Sequence, residues 1–347
     1  MFIDIKKHYT FSLLVILLWV TIPSIASDFK NPYNAPYDGE RFQNLEPFPD
    51  KSFFTLLEWK LFKNEAKNWP NWVEIEEGDK PVKRSKKGEI IYSVINHATV
   101  LIQVDGVNIL TDPMWSERAS PVSFMGPKRV HRPGLAFEAL PPIDLVIISH
   151  NHYDHLDIPT LQRLSKVHKP LILVGLKNGD LLRQEGIGNF KEVDWYQTEI
   201  LQKLKVTFLP NQHWSARSLW DKFETLWGGF IIESKRGQIY FAGDTGYGDK
   251  FIEEIKSRYK NIVLSFLPIG SYAPRWFMKA SHMNPPESIR AHIQLKSKRS
   301  VGIHFGTFQL TDEGRDEPVE YLKKELSKTT GVYFQVPEFG KTYKLPR

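Results

Sequence analysis

An α/β protein, built as a four-layer sandwich in which two β-sheets face each other and helices cover both outsides, is the fold class this sequence predicts. Three observations carry that expectation. Short apolar runs bounded by turns begin at Ile90, and the first of them read as hairpins. The later runs alternate with helical stretches. No fixed-period repeat or low-complexity linker interrupts the 347 residues, a length that supports a large buried core.

Residues 1–26 read as an export signal: Lys6 and Lys7, the apolar stretch Phe11 to Val20, then the small-residue pattern Ser24, Ile25, Ala26. The alternative is an uncleaved membrane anchor, although the run is shorter than the ~20 residues a span needs. Either way the body of the protein is expected outside the cytoplasm, periplasmic or secreted, at the periphery of a membrane. Residues 27–88 form an N-terminal extension. Turn formers (NPYNAPYDG) come first, then SFFTLLEWKLFKNEAKNW sets Phe53, Leu57 and Leu61, with Phe54 and Phe62, at helical spacing. This predicts a partly helical segment with an aromatic face that either packs on the main domain or meets a membrane.

The main domain, 89–347, opens with IIYSVI and TVLIQV, and Asp105-Gly106 turns the latter into VNILT. Further strands are expected at DLVIIS, LILVG, KVTFLP, GGFIIES, QIYFAG, NIVLSFLPIG, SVGIHF and VYFQV, with Arg236 and Gly237 turning a second hairpin. Helices are expected at Pro159 to Val167, Asp180 to Glu185, Lys250 to Lys260, Pro286 to Leu295 and Glu317 to Ser327.

The absence of cysteine excludes disulfides, a thiolate nucleophile, a lipid-anchoring lipobox and Cys metal ligands. Any metal must be held by His, Asp or Glu. A net charge of +6 suits anionic surfaces, and export favours phospholipid over nucleic acid as that surface. The denser basic clusters, KRSKK at 83–87 and KRVHR at 128–132, read either as anion-facing or as solvated loops.

The chemistry concentrates in ISHNHYDHLD, directly behind an apolar strand. His150 and His152 point the same way on extended chain, and Asp154 and His155 follow before a helix. This H-x-H-x-D-H pattern differs from the helical HExxH arrangement and points to metal. Three more donors sit just past β-type runs: His213 in FLPNQHW, Asp244 in YFAGDTGYG and His304 in VGIHFGT. Together these make seven ligands, enough for two zinc ions with Asp244 bridging and positions left open for water. Gly243, Gly246 and Gly248 fit neither a P-loop nor a dinucleotide fingerprint, so they are expected to let the backbone turn tightly beside the metal.

The same residues carry a resemblance. NHATVLI, LTDPMWSERASPVSFMGPKR, LPPIDLVIISHNHYDHLD, the NQHW of His213, FAGDTGY, PIGSYAPRWFMKASHMNPPES and IHFGTF, spanning Ile95 to about Gln309, resemble the N-acylphosphatidylethanolamine-hydrolysing phospholipase D family of the metallo-β-lactamase fold. The resemblance implies two Zn²⁺ per chain, with His150, His152 and His213 on one, Asp154, His155 and His304 on the other, and Asp244 on both. It also implies that Tyr153 and His282 contact substrate. Asp154, Asp244 and His282 are the expected catalytic residues, and His97 and Asp112 are read as orienting the metal histidines.

Two divalent cations outweigh two aspartates and a bridging hydroxide, which leaves positive charge for a phosphodiester. Zinc lowers the pKa of its water to about 7, and a metal pair ~3.5–4 Å apart can hold both nucleophile and phosphoryl oxygen for in-line attack on phosphorus. His282 is expected either to protonate the departing N-acylethanolamine or to contact the headgroup. The expected partners are therefore a phospholipid substrate and a membrane surface, without nucleic acid; a homodimer is one assembly left open. Two departures from mammalian members stand out. Ser215-Ala216-Arg217 lacks the lysine found before the arginine in a region linked to bile-acid binding, and Phe305 replaces a tryptophan. The competing functions are a lactonase or soluble phosphodiesterase on the same metal chassis, and a non-catalytic zinc protein at a membrane.

Overall fold

The computed structural model describes residues 30–346 other than 50, 52 and 64. The export signal expected at 1–26 lies outside the described residues. Contacts gather Asn31–Arg347 into one unit, so the stretch up to residue 88 belongs to the same body as the strands that follow.

A short helix α1 (Phe53–Phe62) precedes a meander of β1 (Ile90–Asn96), β2 (Thr99–Val104) and β3 (Val107–Thr111). Then come β4 (Leu145–Ile148), α2 (Ile158–Val167), β5 (Leu171–Gly175), α3 (Gly179–Gln184) and β6 (Phe190–Val193). The pattern repeats: β7 (Thr198–Leu201), β8 (Leu204–Leu209), β9 (Gly229–Ser234) and β10 (Gly237–Phe241) form a second meander. It is followed by α4 (Asp249–Arg258), β11 (Ile262–Pro268), α5 (Arg275–Met278), α6 (Pro285–Gln294), β12 (Ser300–Ile303), α7 (Glu317–Leu326), β13 (Phe334–Gln335) and β14 (Tyr343–Lys344).

Two seven-stranded sheets result, ordered β14-β1-β2-β3-β4-β5-β6 and β13-β12-β11-β10-β9-β8-β7. Within each, the meander strands pair antiparallel and the strands after helices pair parallel. Strands β1 to β4 are buried on both faces, as the covered sheets of α/β proteins are. Val94, Ile102, Ile147 and Leu173 of one sheet meet Phe208, Phe230, Phe241 and Phe266 of the other in the central core. Leu161, Leu164 and Leu182 of α2 and α3 cover one outer face, and Phe251, Ile255, Ile289 and Leu322 of α4, α6 and α7 cover the other. The four layers are those expected.

Three strands escaped the sequence reading. β6, β7 and β14 are short, partly exposed edge strands, so apolar patterning marks them weakly. The β7–β8 hairpin turns through Gln202 and Lys203 at φ 49° and 89°, a turn usually signalled by Gly or Asn. The expected aromatic face of α1 also differs from what is found. Its anchor is Trp59, buried against Phe277 at 4.8 Å with Nε1 donating to Asp312 Oδ2 at 2.8 Å, while Phe54, Leu61 and Phe62 are exposed.

Candidate metal centre

The chemistry sits where strands stop. Residues 149–155 leave β4, His213 and Asp244 lie shortly past β8 and β10, and His304 directly follows β12. β10, β11 and β12 run parallel, so their ends open on one edge.

Two groups of donor atoms meet there. His150 Nε2 and His152 Nδ1 face each other at 2.8 Å, and His213 Nε2 is 3.4 Å from His152 Nδ1. Asp154 Oδ2 lies 3.3 Å from both His155 Nε2 and His304 Nε2. Asp244 Oδ2 stands between the groups, 3.0 Å from His304 Nε2, 3.3 Å from His155 Nε2 and 3.9 Å from His213 Nε2. All seven residues singled out as metal donors are thus brought together. His97 Nε2, 2.8 Å from Asp154 Oδ2, and His282 Nδ1, 3.7 Å from Asp244 Oδ2, border them.

The arrangement fits cations. Donors ~2.0–2.2 Å from a tetrahedral ion lie about 3.3 Å from one another, and Asp154 Oδ2 and Asp244 Oδ2 each stand 3.0–3.3 Å from His155 Nε2 and His304 Nε2. Buried His155 Nε2 and Asp244 Oδ1 make no hydrogen bond, which a coordinated ion would remedy. An all-nitrogen and oxygen set of this kind suits zinc, and other divalent metals as well.

One aspartate fixes the protons of two histidines. Asp112, wholly buried, accepts from Ser149 N at 2.7 Å, Ser149 Oγ at 2.6 Å and His155 Nδ1 at 2.7 Å. Because the Ser149 hydroxyl is committed to Asp112, its oxygen accepts from His150 Nδ1 at 2.9 Å. His213 Nδ1 likewise donates to Ser281 O at 2.9 Å. In all three rings Nε2 is left to face the centre.

Electrostatics separate the histidines into two kinds. Burial disfavours charge on His97 and His213, both held at about 3, and on His152, at about 4. It also holds His150 and His282 well below the ordinary value. Burial acts on His155 too, but the carboxylates of Asp244, Asp154 and Asp112 outweigh it and raise this group well above 6.5. His304, buried against Asp244 and Asp154, rises to about 9. Burial likewise opposes the charges of Asp154 and Asp244, yet His155 beside the first, and His304 and His155 beside the second, hold both well below the usual carboxylate range. Neutral imidazole is the ligating form, so an arriving cation displaces protons chiefly from His155 and His304.

The backbone here is strained. His97, Asp112 and His304 have φ of 42°, 33° and 62°, conformations that cost on the order of 1–3 kcal/mol each and persist only when surroundings hold them. His304 N donates to His97 O at 2.8 Å, and His97 N to Thr307 Oγ1 at 3.0 Å. Of the three glycines near Asp244, Gly243 alone has positive φ, 60°, and a Cβ there would lie 2.5 Å from Ser149 Cβ. The tight turn expected beside the metal is therefore built at Gly243.

Tyr153 alternates with His152 and Asp154 and faces elsewhere. Its hydroxyl donates to Arg217 O at 2.8 Å, the Arg217 guanidinium lies 3.9 Å over its ring, and both line an open cavity of about 730 Å³ with residues 116–118 and 120–123. Arg217 Nη1 also donates to the carbonyls of Asn151 and Leu156, bracing the metal loop from behind. His282 is placed by α5 and α6: Arg275 binds His282 O at 2.9 Å and both Glu287 oxygens at 2.8 Å, while Asn284 and Glu287 cap α6 reciprocally. In the KRVHR cluster Lys128 and Arg132 are exposed. Arg129 and His131 in it are buried, Arg129 bonding Ser116 O and Met114 O and His131 bonding Thr307.

Ser149, Arg217 and Thr307 escaped the sequence reading as supports of the centre. Only Ser149, directly before the first histidine, carried a local signal.

Paired sheets with two adjoining His/Asp donor groups at their open ends define a metal-dependent hydrolase of the metallo-β-lactamase fold. Residues 107–305 match the Beta-lactamase superfamily domain, over half of the chain, and the chain belongs to that family. It is 37% identical to an N-acyl-phosphatidylethanolamine-hydrolyzing phospholipase D of Caenorhabditis elegans, over 66% of this chain and 68% of that protein. It is 33% identical to the mitochondrial protein of that name from Saccharomyces cerevisiae, over 90% of this chain and 65% of the yeast protein. An uncharacterized protein of Mycobacterium tuberculosis is 36% identical over 82% of this chain and 78% of its own length. Among solved structures, an isothiocyanate hydrolase from Delia radicum gut bacteria shares the fold, with a TM-score of 0.61 and 23% identity over 74% of this chain and 100% of that one.

Proposed function

We propose that this protein is a zinc-dependent phospholipase D that hydrolyses N-acylphosphatidylethanolamine to N-acylethanolamine and phosphatidic acid. The observation that carries the reading is Asp244 Oδ2 standing between the two donor groups; similarity to the worm and yeast phospholipases names the substrate. His150, His152 and His213 would hold one ion, Asp154, His155 and His304 the other, and Asp244 both. Bound zinc supplies an activated water at neutral pH and neutralises charge growing on the phosphoryl oxygens.

The chain's own groups supply the rest. Water adds to phosphorus, the bond from phosphorus to the ethanolamide oxygen breaks, and that oxygen takes up a proton. His282 is half-buried, its pKa is held well below the ordinary value chiefly by desolvation, and its Nδ1 opens on the centre without a hydrogen-bond partner, which supports a contact to the phosphate or the departing oxygen. Asp154, gripped by His97, and Asp244 keep the donor geometry fixed. Tyr153 would contact the lipid from the wall of the adjoining cavity.

Work at a membrane surface, outside the cytoplasm, completes the proposal. Exposed Phe54, Leu61 and Phe62, with Lys60 and Lys63 beside them, and the exposed loop residues Phe124, Met125, Leu219 and Trp220 suit an anionic lipid interface. No helix among the described residues is long and apolar enough to cross a membrane.

Purified protein loaded with zinc should release N-acylethanolamine from vesicles containing the lipid, and Asp244→Asn should abolish release. Free fatty acid as product overturns the bond assignment. Hydrolysis of lactones or bis(p-nitrophenyl)phosphate without action on vesicles replaces the lipid reading with the soluble hydrolase.

A further inference from the structure

The donor groups are not supported equally. His150, His152, Asp154 and His155 lie on one loop leaving β4, with Asp112 and Ser149 beneath it. His213 stands apart, past the end of β8; the Gln212 backbone beside it is bridged to Thr245 and Gly246, but among the described residues the N–H and C=O of His213 itself pair with no other backbone group. The hold comes from the N-terminal extension: Asn44 accepts from His213 N at 3.0 Å and donates to His213 O at 2.8 Å. One side-chain amide thus closes on both polar groups of a single residue, 169 positions away. The neighbouring residues repeat the grip, since Gln212 Nε2 reaches Glu46 O at 3.4 Å and Pro47 O at 3.3 Å. Glu46 in turn bonds Lys250 N in the first turn of α4, anchoring the segment beside the Asp244 turn.

We propose that Asn44 is a positioning residue of the metal centre, fixing His213 so that its Nε2 completes the group formed with His150 and His152. This rests on the two-metal reading above. The His213 ring donates from Nδ1 to Ser281 O and packs edge-on against His150 and His282; the Nδ1 bond sets the tautomer, and the place of Nε2 still follows the backbone that carries the ring. Asn44 fixes that backbone. Loss of such an outer contact costs 10–100-fold in metal affinity in known sites. Residues 44–47 therefore belong to the centre although they fall outside the matched domain at 107–305.

The test compares Asn44→Ala with Asn34→Ala. Asn34 lies in the same extension and donates to Trp195 O at 2.9 Å, away from the donor groups. Metal-free protein is titrated with Co²⁺, whose visible spectrum reports coordination, and with Zn²⁺ against a chelating dye. Wild type should take two equivalents. N44A should bind one equivalent at least tenfold more weakly with an altered Co²⁺ spectrum, and N34A should bind both as wild type does.

Should N44A fail to fold, Asn44→Asp carries the same comparison, because it keeps the acceptor for His213 N and removes the donor to His213 O. Wild-type binding of both equivalents by the folded Asn44 variant overturns the proposal, as does equal weakening in N34A. A wild-type protein that binds no metal refutes this proposal and the two-metal reading together. Two unchanged equivalents in the variant refute Asn44 alone.

Discussion

Asp112→Asn is the most informative single change, because the geometry says what must happen to two histidines at once. Asp112 Oδ2 accepts from Ser149 Oγ and His155 Nδ1, and Oδ1 accepts from Ser149 N. An asparagine that keeps its oxygen toward Ser149 N presents an NH₂ group to two donors. Two charge-assisted hydrogen bonds at about 1.5–3 kcal/mol each are lost, about 3–6 kcal/mol together, a large share of an ordinary domain's stability. Turning His155 to its other tautomer recovers part of this. The Nδ1 then accepts from asparagine, and the proton sits on Nε2, facing the metal. Affinity at the Asp154, His155 and His304 group should fall by at least the 10–100-fold typical of supporting contacts.

Urea midpoints of the metal-free protein and chelator-competed zinc titration separate the two effects. If Asp112 merely braced the fold, D112N would lower the midpoint and leave affinity alone. Wild-type affinity for both equivalents in a folded D112N would refute the tautomer argument.

The other expectations concern pH, the glycine turn, His282 and the α1 anchor. As pH falls below 6.5, the unfolded chain binds protons that His97, His213 and His152 refuse while folded, so metal-free stability should decline by up to about 1.4 kcal/mol per pH unit for each. His304 acts oppositely: its stabilising proton is fully present below 6.5 and lost as pH rises through about 9. Urea midpoints should therefore peak between these limits, and a steady rise into alkali would contradict the assignment. Zinc uptake should release protons at neutral pH, read directly with an indicator dye. Gly243→Ala should cost about 1–2 kcal/mol for its left-handed backbone alone, and more where its Cβ meets Ser149, with weaker zinc binding as the second readout. His282→Ala should keep both zinc equivalents and lose most lipid turnover; loss of metal instead would make His282 a ligand. Trp59→Ala should lower stability by about 3–5 kcal/mol, as for other buried tryptophans, and an unchanged melting temperature would mean that α1 does not dock through it.

Sequence alone determined the layer architecture and picked out the seven His and Asp side chains that the fold gathers, for a physical reason. Apolar runs at strand spacing must be buried between layers, and a strand ending in H-x-H-x-D-H fixes the mutual reach of four donors by local geometry. His213, Asp244 and His304 were legible because each follows a strand that the sheet carries to the same edge. Short polar edge strands such as β6 and β14 were not legible, since they bury too little to leave a pattern. Asp112 and His97 were named from sequence as supports; only the tertiary structure decided which groups they hold and what else holds the centre. It sets Asp112 beneath two histidines through Ser149, Asn44 against His213 from far along the chain, and Tyr153 on a wall turned from the donors. Such contacts join residues whose separation in sequence carries no periodic signal; they exist only after both sheets have closed.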